Sequence, residues 1–145
     1  MSYNNWHVLG RGKLCPEGWH VASDDDWKEL EIYLGMTQEQ ADGTVWRGTD
    51  EGGKLKEAGY GHWQTPNKGG TNESGFSAVP SGRRLSSGEF GDMTTGNTIW
   101  TSTPSSLSSA CYRHFAHGNS GIGRNPEGDK KFGLAVRCVK NKYVK

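Results

Sequence analysis

The sequence predicts an α+β domain in which helices come first and a mostly antiparallel, loop-rich sheet follows. Apolar spacing between residues 24 and 34 is helical. After residue 59, clusters of Gly, Ser, Thr, Asn and Pro cut the chain into short apolar and aromatic runs. Strands and helices do not alternate along the chain, as a parallel sheet requires. The 145 residues fit one domain with a true core. The hydrophobic fraction of 32% looks low because 22 glycines stand where aliphatic residues usually stand, and the Trp, Tyr and Phe side chains are numerous enough to anchor a core.

Ser23 is placed to cap the first helix, its hydroxyl accepting from the N–H of Asp26 while the Asp26 carboxylate reaches back. Asp24 and Asp25 lie where the helix dipole favours negative charge, so the three aspartates read as caps rather than as a calcium cluster. The helix runs from about Asp24 to Leu34, with Trp27, Leu30 and Leu34 on one face and Gly35 as the stop. A second helix is expected from Thr37, with Gln40 three residues on, and a short helical piece from Gly52 to Ala58. Strand candidates follow in "GFSAVP", "TIWTSTP", "ACYRHFA" and "FGLAVRCVK". Trp19, Trp27, Trp46 and Trp63 sit beside apolar neighbours and are assigned to the core.

A formal charge of +1, from 17 basic and 16 acidic residues, provides no field for nucleic acid or an anionic membrane. No run of 18 apolar residues predicts a transmembrane segment, and Met1 to Arg11 lacks the pattern of a signal peptide. In the last strand candidate Leu134, Val136 and Cys138 alternate with Ala135, Arg137 and Val139, so Cys138 points inward with two apolar neighbours. Three cysteines allow three pairings. Cys15–Cys138 closes the longest loop, while three buried free thiols also fit the residues.

The segments "LCPEGWHVASDDDWKELE", "WRGTDEGGKLKEAG", "GTNESGFSAVPSGRR", "IWTSTP" and "FGLAVRCVK", in that order from about Leu14 to Lys140, resemble the Fibrobacter succinogenes major paralogous domain. Ala22, Val79 and Cys111 depart from its usual pattern. The resemblance implies secreted or surface proteins of gut Bacteroidetes and a typical member that extends upstream of "YNNWHV". It implies a C-type lectin-like fold, similar to that of formylglycine-generating enzymes, with two main helices packed on a twisted, mostly antiparallel sheet. It also implies a disulfide between Cys15 and Cys138, linking the first helix region to the last strand.

No nucleophile elbow, phosphate loop, HExxH or paired-carboxylate motif is present. In "RNPEGD", Asn125, Glu127 and Asp129 offer hard oxygen ligands, but calcium-type lectins resembling this family use Glu-Pro-Asn with a Trp-Asn-Asp strand, which the chain lacks. A copper oxidase of the formylglycine-generating kind needs two adjacent free thiols, and with Cys15 and Cys138 bonded only Cys111 remains, read as a packed residue. The expectation is therefore a binding module without catalysis, cofactor or metal, secreted or displayed at a cell or phage surface, that recognises a glycan or a protein. The alternatives are a copper or other redox oxidase, a structural surface domain, and a diversified phage receptor-binding domain.

The stretch from Trp100 to Asn125 mixes aromatic rings with Arg, His, Asn and Ser, residue types that combine contact area with directional hydrogen bonds. The candidate ligand-binding residues are Trp100, Tyr112, Arg113, His114, His117, Asn119, Arg124 and Asn125. Strand alternation divides them: if Tyr112 and His114 face out, Arg113 and Phe115 face the other way.

Overall fold

The computed structural model describes residues 3–142. A 3-10 helix, Trp6–Arg11, leads to strand β1 (Trp19–Val21) and helix α1 (Asp24–Tyr33). Helix α2 (Gln38–Asp42), β2 (Val45–Arg47) and α3 (Glu51–Leu55) follow, then β3 (Ser81–Arg84), β4 (Phe90–Met93), β5 (Gly96–Pro104), β6 (Ser109–Ala116), β7 (Ile122–Asp129) and β8 (Cys138–Lys140). Strands β1 and β8 pair with each other, and the other six form one sheet in the order β2-β7-β6-β5-β3-β4. Every pairing is antiparallel except β3 with β5.

This corrects the expected architecture of two main helices on a sheet. Among the described residues only α1, with ten residues, is a substantial helix; α2 and α3 have five each, and eight strands dominate. The capping signals were real. Ser23 and Asp26 form the expected capping box, as do Thr37 and Gln40. Starting a helix does not lengthen it, and Gly43 ends α2 after little more than a turn. In α3 the glycines serve close packing instead of helix propagation: a Cβ on Gly52 would overlap the carbonyl oxygen of Gly121.

The "GFSAVP" segment contributes only a bridge between Ala78 and Lys56, and "FGLAVRCVK" is regular strand only from Cys138. Conversely, "RNPEGD" lies within β7. Proline is tolerated there because β2 pairs β7 only from Ile122 to Arg124, leaving that edge open at Pro126.

One apolar cluster joins α1 to the inner face of the large sheet through Trp27, Leu55, Trp63, Ile99, Phe115 and Ile122. A second gathers Leu9, Val21, Trp100, Ala110 and Leu134 beneath the 3-10 helix. Trp27 and Trp63 are core residues as expected, but Trp19 and Trp46 are 44% and 40% exposed and are not. Each lies in a three-residue strand, too short for flanking residues to reveal which side is covered.

Beneath the apolar contacts runs a buried charge network. From α1, Asp24 and Glu31 both meet Arg113 of β6, at 2.6 and 2.5 Å; Glu31 also pairs with Arg47 of β2, and Asp24 with Arg124 of β7 at 2.8 Å. Asp24 therefore anchors the helix to the sheet, a role beyond the expected cap. Burial pushes its carboxyl up, but hydrogen bonding from Arg124 and the charge of Arg113 outweigh this and hold it well below the usual carboxylate range.

Cys15 and Cys138 are bonded across 123 residues, locking the chain before β1 to β8. Replacing both by alanine is expected to lower unfolding free energy by about 2–4 kcal/mol, read as an earlier denaturant midpoint. An unchanged midpoint would mean that the β1–β8 pairing closes the domain unaided.

Candidate functional site

Strand alternation on β6 puts Arg113 and Phe115 inside and leaves Tyr112 and His114 on the opposite face. There the register aligns four positions across four strands: Trp46 opposite Gly123, Gly123 opposite His114, and His114 opposite Thr98. Gly123 is the key to this row. A Cβ there would sit 3.2 Å from the His114 Cβ and 3.7 Å from the Trp46 ring. With no side chain between them, the Trp46 and His114 rings pack at 5.4 Å between centroids.

Trp46, Gly123 and His114 of this row floor a cleft of about 560 Å³, within the usual range for small-molecule sites of about 300–1,000 Å³. Its walls come from β2, β7 and the β3–β4 pair, and include Arg83, Asp92, Asn125 and Glu127. Arg83 Nε lies 2.9 Å from Asp92 Oδ2. The Asn125 amide donates to the Tyr112 hydroxyl at 3.0 Å, and its Oδ1 accepts from the N–H of Glu127 at 2.8 Å. Arg124 reaches past the cleft to Asp24 and to the carbonyls of Asp42 and Gly43. His114 Nδ1 is 3.0 Å from Thr98 Oγ1, and burial lowers the ring's pKa below 6.5, favouring a neutral imidazole.

Among the described residues, two of the six non-glycine positions with positive φ stand at this rim, while Asn67, Asn72, Ser77 and Thr94 lie outside the cleft lining. Val45 has φ 64° and Asp92 has φ 61°, and a β-branched residue in the left-handed region is unfavourable. Such residues cost about 1–3 kcal/mol each and concentrate at functional sites.

Of the eight residues selected from sequence, Tyr112, His114, Arg124 and Asn125 line the cleft. Arg113 and Trp100 are 0% exposed and leave the surface set. Arg113 belongs to the charge network; Trp100 is covered by the N-terminal segment, donating from Nε1 to Asn4 O at 2.9 Å. His117 and Asn119 lie between β6 and β7, where His117 Nδ1 meets Thr65 O and the Asn119 Oδ1 accepts from Gly121 N. Trp46 was assigned to the core, and Arg83 and Asp92 were not selected, because all three lie on β2, β3 and β4, outside the window from Trp100 to Asn125. The signal available for Trp46 was a β-favouring "VW" pair set between Gly43 and Gly48.

A second hollow, of about 670 Å³, lies beside α1 and β8. Its polar groups already bind one another: His20 bridges Asp26 and Asn141, and Lys142 pairs with Glu29. Cys111 is buried, donates to Asp24 Oδ1 at 3.2 Å, and burial pushes its thiol up to about 11. Among the described residues, no three His, Cys, Asp or Glu side chains cluster so as to hold a metal ion. Asn125, Glu127 and Asp129 are spaced along one strand, with the Asp129 carboxylate accepting from the Lys131 N–H. No helix among the described residues is long and apolar enough to cross a membrane.

The family model described as Fibrobacter succinogenes major domain matches residues 1–140. No curated protein and no solved structure matches the chain, so the wider lectin-like superfamily assignment is not confirmed.

Proposed function

The chain belongs to the Fibrobacter succinogenes major domain family, and on that premise we propose that it is a secreted or surface-displayed binding module that holds a glycan on the outer face of its large sheet. The observation that carries this reading is the cleft in which Trp46, 40% exposed, lies against His114 and is ringed by Arg83, Asp92, Asn125 and Glu127. A half-exposed indole offers a flat apolar face to the C–H face of a sugar ring, and the surrounding groups offer directional partners for its hydroxyls. Val45, a β-branched residue held in the left-handed region, stands at the rim of the same cleft.

The oxidase alternative requires two adjacent free thiols. Two of the three cysteines are bonded to each other, and the third is a buried thiol whose high pKa disfavours the reactive thiolate. This chemistry favours binding.

The test is an array of glycans and surface proteins probed with the purified domain, with and without a chelator. The expected result is a glycan signal that the chelator leaves intact and that Trp46→Ala weakens about thirtyfold while the melting temperature stays put. Binding to protein spots alone, or full retention in Trp46→Ala, would overturn the proposal.

A further inference from the structure

Resting on the glycan reading of the cleft, we infer that its ligand is a neutral saccharide, and that the Arg83–Asp92 pair enforces this selectivity. Two cationic side chains line the cleft, Arg83 and Arg124, and each already faces a carboxylate: Asp92 at 2.9 Å and Asp24 at 2.8 Å. His114 is held toward its neutral form by burial. The remaining ionised group on the wall is Glu127, which has no counter-ion among the described residues. A uronate or sialate entering here would find no unpaired cation and would meet the Glu127 carboxylate. Such a site discriminates by repulsion as well as by fit.

A neutral pyranose meets complementary groups. The Trp46 face takes its apolar side, while Asp92 and Glu127 accept from hydroxyls. Because the Tyr112 hydroxyl oxygen accepts from Asn125, its own O–H is available as a donor. Asn125 is itself held at both ends, by the Tyr112 hydroxyl and by the Glu127 N–H, so the wall is ordered before a ligand arrives.

The pair provides a gain-of-function test. Asn tolerates the left-handed backbone of position 92 and keeps nearly the same shape, so Asp92→Asn removes the charge while preserving the fold. It leaves the Arg83 guanidinium without its carboxylate. Titration calorimetry would compare the neutral trisaccharides mannotriose, galactotriose and cellotriose with trigalacturonate, at low and high salt. In the natural domain at least one neutral probe should bind more than tenfold tighter than trigalacturonate, with little dependence on salt. In Asp92→Asn, trigalacturonate should gain about tenfold at low salt and lose that gain at high salt.

Tighter binding of trigalacturonate by the natural domain, binding of no neutral probe, or no gain in Asp92→Asn would overturn the inference. The glycan reading has a separate test. If the glycan found on the array still depends on Trp46, the cleft stands even when neutral selectivity fails; if Trp46→Ala binds it normally, both fall.

Discussion

Replacing Arg113 by methionine is expected to destabilise the domain by about 3–5 kcal/mol, lowering its thermal midpoint by roughly 10 °C or more. Arg113 is fully buried on β6 and bonds both acidic residues that α1 turns toward the sheet. Methionine fills similar space but leaves Asp24 and Glu31 each short of one charged partner in a place water does not reach. Arg124 and Arg47 still hold the other oxygens, so the network weakens without vanishing. Adding Glu31→Gln should recover part of the loss by removing one buried charge, a coupling that a double-mutant cycle measures. Equal losses in single and double variants would mean that packing, not charge, governs this position.

The same network sets a response to acid. The folded state lowers the Asp24 pKa from its ordinary 3.8, so the carboxylate's contribution is complete above 3.8 and is lost as the pH falls below it toward the folded value. Unfolding free energy should therefore drop on acidification below about pH 4, and drop less steeply in Arg113→Met.

Lys56→Met is expected to cost about 4 kcal/mol, or roughly 12 °C in melting temperature. Lys56 is 0% exposed and its ammonium donates to three carbonyls, those of Lys68, Ala116 and Asn119, at 2.9, 2.9 and 3.0 Å. One side chain thus ties the end of α3 to the following loop and to the β6–β7 turn. Methionine keeps an apolar stem over Trp63 but removes every donor, and an unsatisfied buried acceptor costs about 1–3 kcal/mol. Burial pulls the Lys56 pKa down from 10.5 to about 8. Between those values the unfolded chain holds the proton more tightly, so this lysine's burial penalty is relieved as pH rises through that window. The gap between the natural protein and Lys56→Met should widen from pH 8 to 10.5 in denaturant titrations. A variant that melts within about 2 °C of the natural protein would refute the role given to the three bonds.

What the sequence revealed and what it concealed follow from the range of each interaction. Capping at Ser23 and Thr37 depends on partners three residues away and was legible. So was alternation along "ACYRHFA", which divides Tyr112 and His114 from Arg113 and Phe115. The Cys15–Cys138 bond came through resemblance more than through cysteine count. The two main helices implied by the resemblance were not found, because caps fix where a helix starts, while Gly43 and the packing of Gly52 decide how far it runs. Lys56 and Trp46 were opaque for another reason. The carbonyls that Lys56 gathers lie 12 to 63 residues away, and Trp46 meets His114 only through the pairing of β2 with β7 and β7 with β6. A short strand gives no local sign of its neighbour. The cleft therefore became visible only when three separate segments of chain were brought into one sheet.

The most direct test of the binding face is an amide and indole NMR shift map recorded while the array's strongest glycan is titrated into the labelled domain. The cleft assignment predicts that the Trp46 indole and the backbone amides of Gly123, Asn125 and Glu127 move together and saturate with one dissociation constant. Shifts confined to His20, Tyr33 and Asn141, around the hollow beside α1 and β8, would place the ligand away from the cleft and contradict the account.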